Sequence, residues 1–155
     1  MLGDQVQVIT FRNIQKWAIE KDDVLNQLTK IQIEKVIDNM KTANHKSGDI
    51  VFAKGSSCAQ KIVVIIEGTL KKASKSDQVV GRKNEVYGSE FLKEGRQNQT
   101  FDDNIVMDGE GVLAELDFGK FYECLGGNYE QIMKKNEKSH EVRIVLMNES
   151  FKCLQ

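Results

Sequence analysis

The stretch that decides the fold runs from Val86 to Asp117. It reads Val86-Tyr-Gly-Ser-Glu-Phe-Leu92, Lys93-Glu-Gly-Arg-Gln-Asn-Gln-Thr100, Phe101-Asp-Asp-Asn-Ile-Val-Met107, Asp108-Gly-Glu-Gly111 and Val112-Leu-Ala-Glu-Leu-Asp117. This order predicts a strand that runs into a glycine, a short apolar turn of helix, a polar loop, and two strands joined by a glycine-rich turn. We interpret the two acidic residues of Asp108–Gly111 as part of that hairpin turn and not as catalytic carboxylates.

Two helices are predicted before the strands begin. The first covers residues 4–20, where apolar residues recur loosely at helical spacing, and we interpret Trp17 as a packing residue on it. The second follows Thr29, which can form a Thr-x-x-Gln capping box with Gln32, and its apolar residues recur at i, i+3, i+4 and i+7 as far as Met40.

Short strands separated by glycine turns follow the second helix. Ile50–Phe52 is one strand, and the β-branched run Lys61–Ile66 is typical of a central strand. Glu67-Gly68 predicts a turn into a more polar, solvent-exposed strand at residues 69–73, and residues 78–80 predict a further strand. Several short strands at this spacing predict an all-β barrel or jelly roll.

The segment after the central stretch returns to a helical pattern. Phe118–Leu125 predicts a short helix with a Gly-Gly C-cap. Asn128 with Gln131 can form a second capping box, for a helix that runs to about residue 138. Residues 142–147 predict one more apolar helix. The lysine pairs elsewhere in the chain are interpreted as solvated faces (Lys71-Lys72 and Lys134-Lys135).

Composition excludes several classes of protein. The 155 residues are 40% hydrophobic and 29% charged with a net charge of -1, so no global field favours nucleic acid or an anionic membrane. No apolar run approaches the length that spans a bilayer, roughly 20 residues. The N-terminus lacks the basic and apolar regions of a secretory signal, so we expect a cytoplasmic protein.

Candidate metal ligands are few. The chain has 3 cysteines and 2 histidines, and the cysteines show no CxxC spacing. We therefore expect reduced thiols at Cys58, Cys124 and Cys153, and no metal site. His45 and His140 lie too far apart in sequence to indicate a Ser/His/Asp or Cys/His catalytic arrangement.

The order of elements resembles the cyclic-nucleotide-binding domains. The resemblance is carried by five pieces in the right order, namely Leu28-Thr29 with the helix to Met40, Ser47–Gly55, Ile65–Leu70, Tyr87-Gly88 and Leu113–Phe121. It implies an α+β, mainly β fold, an eight-stranded β-roll of the jelly-roll type with N-terminal and C-terminal helices. It also implies an N-terminal helical segment at 1–28, the β-roll with its first helix at 29–127, and C-terminal hinge helices at 128–155 that lead toward a next domain.

A closer resemblance concerns the third of the four such domains in the cGMP-dependent protein kinases of apicomplexan parasites. It is carried by Gln7–Ile14, Ile62–Gly68 and Cys124-Leu-Gly126. It implies that the chain is a non-enzymatic fragment of the regulatory region of a cGMP-dependent serine/threonine protein kinase. Its partners would be the neighbouring cyclic-nucleotide-binding and kinase domains of the same parent chain.

The phosphate-binding cassette departs from the family pattern. In the family, the Glu after the glycine holds the ribose 2′-hydroxyl, and an Arg about ten residues later holds the cyclic phosphate. Here Ser89 follows Gly88, Asn98 stands at the tenth position, and Arg96 comes two positions early. The candidate ligand-binding residues of this degenerate cassette are Tyr87, Gly88, Ser89, Glu90, Phe91, Arg96, Asn98, Gln99 and Thr100.

Three hypotheses follow from these observations. The favoured one is a regulatory domain that binds no cofactor, with cGMP disfavoured, and that relays conformational change between neighbouring domains. The second is a working cGMP-binding module with an atypical site that uses Arg96. The third is a small jelly-roll enzyme or metal protein.

Overall fold

The structure of the protein is a computed structural model that describes the backbone of residues 2–137 and the side chains of residues 10–75 and 77–137. The predicted helix at 142–147, His140 and Cys153 lie outside the described residues. The elements in chain order are α1 (Leu2–Lys21), α2 (Lys30–Asn39), β1 (Lys41–His45), β2 (Ile50–Phe52), β3 (Lys61–Lys72), β4 (Lys75–Gly81), β5 (Val86–Tyr87), a 3₁₀ turn (Ser89–Leu92), β6 (Ile105–Asp117) and α3 (Phe118–Leu125). A fourth helix, α4, is described over residues 129–137.

The predicted helix caps are present. Thr29 Oγ1 accepts a hydrogen bond from the Gln32 amide at 3.2 Å, and Gln32 Oε1 accepts one from the Thr29 amide at 2.9 Å. The same reciprocal pair joins Asn128 and Gln131 at 2.9 Å in both directions. Gly126 closes α3 with φ 78°, in the left-handed region that favours glycine. Helix α1 is one residue longer at its C-terminal end than the 4–20 prediction and begins two residues earlier.

The strands of residues 2–137 form one sheet with six strands, in the order β1-β6-β3-β4, with β2 paired to β6 and β5 paired to β3. The mainly β prediction with flanking helices is therefore confirmed, whereas the count of eight strands is not found in this part of the chain. Strand β1 was not predicted because its sequence, Lys-Thr-Ala-Asn-His, is polar. It forms because its backbone pairs with β6 from Lys41↔Glu115 to His45↔Gly111.

Two predicted turns are wrong. Glu67-Gly68 lies inside the 12-residue strand β3, and Asp108–Gly111 lies inside the 13-residue strand β6. The two strands pair along their whole length, but the register shifts between Ile65 and Thr69. A β-bulge also uses glycine in the left-handed region, so the sequence signal of a bulge resembles that of a turn. Long-range pairing decides between the two.

The core lies between the sheet and the helices. Its fully buried side chains come mainly from β3, β6 and the α1–α2 region, and they include Leu25, Ile62, Ile65, Ile66, Leu70, Leu92, Leu113 and Phe121. Trp17 contradicts its predicted packing role, because it is 61% exposed, while its neighbours Ala18 and Ile19 are buried. Successive helical residues point about 100° apart, so burying Ala18 and Ile19 turns Trp17 toward solvent. Across residues 2–137, the helices lack the combination of length and apolarity that a bilayer crossing requires.

The close approach of β3 and β6 at the bulge yields a first prediction. A methyl group added at Gly111 would overlap the backbone oxygen of Glu67 and crowd the Met107 side chain. We expect Gly111→Ala to lower the free energy of unfolding by about 1–3 kcal/mol, since overpacking forces the backbone to shift. Urea unfolding measures this quantity. Gly119→Ala in α3 is the control, because the added methyl group meets only the Asp117 carboxylate at 3.3 Å. Equal stability of Gly111→Ala and the unmodified chain would contradict the bulge geometry.

Candidate ligand-binding cassette

The cassette is held between β5 and β6, and its second residue, Gly88, must be glycine. Gly88 has φ 93° and precedes the 3₁₀ turn Ser89–Leu92. A Cβ at this position would lie 2.6 Å from the carbonyl oxygen of Lys61 on β3. Strand β5 pairs with β3 through Val63↔Tyr87, so the chain passes too close to β3 for any side chain at Gly88. The predicted strand, glycine and short helix are thus all present.

Ser89 faces the interior of the protein. It is 4% exposed, and its hydroxyl donates a 2.9 Å hydrogen bond to Oδ2 of Asp22. Asp22 follows α1 and also accepts hydrogen bonds from the amides of Val24 and Leu25 at 3.2 and 3.1 Å. Burial raises the pKa of Asp22, and the hydrogen bond from Ser89 opposes that effect. Sequence reasoning missed Asp22, because nothing local connects two residues 67 positions apart.

Glu90 and Arg96 lie together on the surface of the cassette. Arg96 Nη1 is 3.5 Å from Glu90 Oε2, and the side chains are 54% and 51% exposed. The two opposite charges lie side by side, so the pair presents almost no net charge to a ligand. An exposed ion pair at this distance contributes about 0–1 kcal/mol, so the geometry leaves Arg96 free to exchange partners at small cost.

Two of the remaining polar candidates, Gln99 and Thr100, are held through their backbones. Asn98 is exposed. The carbonyl of Gln99 accepts a 2.9 Å hydrogen bond from the Cys58 amide, and Thr100 forms an isolated β-bridge with Ser57. The structure therefore places Gln99 and Thr100 against the connection between β2 and β3, and their backbones fix the end of the cassette loop.

An aromatic cluster fills the space behind the cassette. It consists of Phe52, Tyr87, Phe91 and Phe101. The Phe52 and Phe101 ring centroids are 4.8 Å apart, Phe52 and Tyr87 are 5.3 Å apart, and Phe91 and Phe101 are 6.0 Å apart. Burial raises the pKa of the Tyr87 phenol well above its ordinary value. Phe101 was not among the candidate residues, yet its ring joins the two sides of the cluster.

Three cations around the cassette each have a carboxylate partner. Arg96 pairs with Glu90 as described. Lys61 lies with its Nζ 5.1 Å from the Phe52 ring centroid and 3.1 Å from Oε1 of Glu115. Lys72, which was predicted to be solvated, is half-buried and lies 3.3 Å from Asp102 Oδ1. The charges of these three cations are thus compensated within the chain.

The loop after the cassette is fixed through Asp103. This carboxylate is 8% exposed and accepts hydrogen bonds from the Ser74 amide at 3.0 Å, from the Ser74 hydroxyl, and from the Asn104 amide at 2.8 Å. The hydrogen bond from the Ser74 side chain is the main reason that the pKa of Asp103 is lowered. Asp103 therefore connects the β3–β4 turn to the residues that follow Phe101.

The cassette also contacts the helices that follow the roll. The Glu94 amide donates a 2.6 Å hydrogen bond to Glu130 Oε1 on α4. The Tyr129 hydroxyl, also on α4, donates a buried 2.9 Å hydrogen bond to the carbonyl of Val24. Val24 lies in the same turn as Asp22, which holds Ser89. The cassette, α4 and the α1–α2 turn are therefore joined in a closed ring of contacts.

Other reactive groups are separate from one another. Cys58 is buried and Cys124 is half-buried, and both are free thiols. Burial raises the pKa of each thiol, so neither is activated as a nucleophile. Within residues 2–137, no group of three or more His, Cys, Asp or Glu side chains is placed to hold a metal ion.

Comparison with known proteins shows the fold. Neither a protein-family model nor a curated protein matches this sequence. The regulatory domain of PKA from Toxoplasma gondii, solved with cAMP, matches with a TM-score of 0.61 and 15% identity over 79% of this chain and 46% of that chain. The regulatory subunit of a cAMP-independent protein kinase A from Trypanosoma brucei matches with a TM-score of 0.55 and 17% identity, over 87% of this chain and 50% of that one.

A triple mutant of the Trypanosoma brucei subunit, bound to cAMP in the A site, matches with a TM-score of 0.54 and 16% identity, over 89% of this chain and 53% of that one. The chain therefore spans about half the length of the regulatory chains it matches. The fold is that of cyclic-nucleotide-binding regulatory domains. The finer resemblance to a third domain of a cGMP-dependent kinase stays a prediction.

The Asp103 contacts yield a second prediction. The pKa of Asp103 is lowered from 3.8, so its stabilising effect is fully present above that value and is lost as the pH falls through the lower folded-state value. We expect Asp103→Asn to reduce stability at neutral pH and to show a smaller further loss on acidification than the unmodified chain.

Urea unfolding at neutral pH and at about pH 2.5 checks this expectation. Ser74→Ala should also lose less stability on acidification than the unmodified chain. The difference should be smaller than for Asp103→Asn, because the amides of residue 74 and Asn104 still donate to the carboxylate. If Asp103→Asn loses as much stability between the two pH values as the unmodified chain, the lowered pKa has no effect on folding.

Proposed function

We propose that this chain is a regulatory domain of the cyclic-nucleotide-binding type whose cassette holds no cyclic nucleotide and instead connects the helices on either side of the roll. The observation that carries the proposal is the hydrogen bond between Ser89 and Asp22. Ser89 stands directly after the cassette glycine and is directed to the end of α1. The position that would contact a ribose hydroxyl thus contacts the protein itself.

The electrostatics of the cassette support this proposal. A cyclic phosphate carries one negative charge, and a forked Arg with backbone amides is the usual way to hold it. Hydrogen bonds to charged groups contribute about 1.5–3 kcal/mol each. Losing the contacts of both the Arg and the Glu therefore lowers affinity roughly 10²–10⁴-fold. Phe101 and Asp102 follow the loop, and neither supplies a positive group to a phosphate, since one is an apolar ring and the other a carboxylate paired with Lys72.

The relay part of the proposal rests on the ring of contacts. Ser89 is bound to Asp22 after α1, Glu94 is bound to Glu130 on α4, and Tyr129 of α4 is bound to Val24. A displacement of either terminal helix therefore moves at least one contact of the cassette. The buried hydrogen bond of Tyr129 makes independent movement of the two helices costly, because it would leave the Val24 carbonyl without its donor.

The parent protein that we propose is a cytoplasmic cGMP-dependent serine/threonine kinase of the apicomplexan type, in which this chain forms the third regulatory domain. The resemblance of Gln7–Ile14 and Ile62–Gly68 supports this assignment. The partners would be the neighbouring nucleotide-binding and kinase domains. The Trypanosoma brucei neighbour supports only the absence of a bound nucleotide, because a regulatory subunit with this fold belongs there to a cAMP-independent protein kinase A.

The second candidate function is a cGMP-binding module with Arg96 as its cation. The weak and exposed pair of Arg96 with Glu90 favours it, since a ligand phosphate could replace the carboxylate. Ser89 would then contribute only through its backbone amide at the start of the 3₁₀ turn.

Titration calorimetry with cGMP and with cAMP distinguishes the two functions. We expect no saturable heat for either nucleotide into the millimolar range, because Asn98 stands where the family has its phosphate-binding Arg and Ser89 is bound to Asp22. Arg96→Ala and the charge-conserving Arg96→Lys are the matched variants. Micromolar binding that is lost in Arg96→Ala and is retained in part by Arg96→Lys would establish the second function and exclude the first.

Hydrogen–deuterium exchange of Ser89→Ala tests the relay. This change removes the hydrogen bond to Asp22. It should lower the free energy of local opening by about 1–3 kcal/mol, because a half-buried carboxylate loses a donor. We expect faster exchange at residues 22–28 and also in α4, which Ser89 does not touch. Glu90→Gln is the control, since Glu90 is exposed, and it should leave both regions unchanged. Faster exchange confined to residues 86–92 would show that the cassette is a passive part of the roll.

A further inference from the structure

The turn between β3 and β4 carries a basic sequence that the proposed function does not use. It reads Lys71-Lys-Ala-Ser-Lys75, and Ser74 is the only Ser or Thr in the chain with basic residues at both the third and the second position before it. Basophilic protein kinases select substrates by such charge patterns, with carboxylates of the kinase facing the basic side chains. The pattern therefore singles out one hydroxyl of the chain.

The structure places that hydroxyl at an accessible turn. Ala73, Ser74 and Lys75 are all exposed. The lysines are engaged by exposed carboxylates, since Lys71 lies 3.5 Å from Asp108 and Lys72 lies 3.3 Å from Asp102, whose side chain is 78% exposed. Exposed pairs of this kind are weak, so carboxylates of an incoming enzyme can replace Asp102 and Asp108.

We propose that Ser74 is a phosphorylation site for a basophilic serine/threonine kinase, and that its modification loosens the loop that closes the cassette. In the reaction, Ser74 Oγ attacks the γ-phosphorus of ATP. A new P–O bond forms, the bond to ADP breaks, and the hydroxyl proton passes to a base of the kinase. The proposal is independent of whether the cassette binds a nucleotide.

The consequence follows from the partner of Ser74. Its hydroxyl and amide both donate to Asp103, and the adjacent Ala73 amide donates to the Asn104 carbonyl at 2.9 Å. Phosphorylation removes the hydroxyl donor and places a charge of about −1.5 to −2 beside a carboxylate that is 8% exposed. The repulsion acts on residue 103, two positions after Phe101.

The cations near Ser74 also contribute to the loosening of the loop. Lys72 and Lys75 are paired across the turn and flank Ser74, so a phosphate on Ser74 adds a negative charge beside two lysines. If Lys72 turns to the phosphate, Asp102 loses its partner as well. The amides of Ala73 and Ser74 then hold residues 103–104 to the turn, and these residues give less support to the packing of Phe101, whose own backbone stays bonded to Gly55 and Ser56.

The site is tested by labelling the full chain with radioactive ATP and the catalytic subunit of cAMP-dependent protein kinase, which prefers basic residues at these positions. We expect stoichiometric incorporation that is abolished in Ser74→Ala and retained in the matched control Ser76→Ala. Circular dichroism of Ser74→Ala verifies that the variant is folded. No incorporation into the unmodified chain, or incorporation that persists in Ser74→Ala, would overturn the assignment.

The consequence is tested by hydrogen–deuterium exchange of the phosphorylated and unmodified chains. We expect several-fold faster exchange at the amides of residues 99–104, with the amides of the β3–β6 core unchanged. Asp103→Asn, phosphorylated in the same way, should show a smaller increase because the like charge is absent. Identical exchange of the modified and unmodified chains at residues 99–104 would refute the loosening, even if Ser74 is labelled.

Discussion

The pairing of β3 with β6 is the constraint on which the cassette depends. The two strands run together from Lys61↔Asp117 to Lys72↔Ile105, and the residues on one side of the bulge, Ile62–Ile66 of β3 and Leu113-Ala114 of β6, are fully buried. Strand β5, which leads into the cassette, pairs with β3, and β2, which carries Phe52, pairs with β6. The bulge in the middle of the ladder bends both strands. The position of Gly88 against Lys61 follows from this framework, because β5 can only approach β3 along one edge.

That framework explains why the cassette keeps its shape without its charges. The glycine, the 3₁₀ turn and the apolar residues Phe91 and Leu92 serve packing, and each is present. A buried polar side chain at position 89 needs a partner, since an unpartnered hydroxyl costs about 1–3 kcal/mol. Asp22 supplies it, and Asp22 in turn is a desolvated carboxylate that requires donors. The two groups satisfy each other, so the loss of a ligand contact at this position does not leave a defect in the fold.

The features that a few neighbouring residues determine could be predicted from the sequence. The two capping boxes, the C-cap at Gly126 and the strand–glycine–helix order of the cassette all depend on contacts within about five positions. The features that depend on distant partners could not. Gly68 and Gly109 signal a departure from regular backbone, but only the pairing of β3 with β6 makes them bulges and not turns.

The same distinction holds for individual side chains. The loose helical spacing of residues 4–20 did not fix which face of α1 is buried, so Trp17 was assigned to the wrong side. The sequence shows that Ser89 replaces the Glu that the family has after the glycine. It does not show that Ser89 contacts Asp22. Asp22, just after α1, and Tyr129 and Glu130 on α4 are remote from the cassette in sequence, and only the tertiary arrangement brings them there.

The electrostatic character of the cassette depends on pairing and not on the number of charges. The chain has 22 lysines and arginines, and three of those near the cassette, Lys61, Lys72 and Arg96, form ion pairs. An anionic ligand interacts with the sum of each cation and its carboxylate, and at these distances the two fields largely cancel. Binding would require a carboxylate to be displaced into solvent, which is easiest for exposed Glu90 and hardest for half-buried Glu115. Among the three paired cations, Arg96 is therefore the one most readily released to a phosphate, while Lys61 is held by Glu115 and lies against the Phe52 ring.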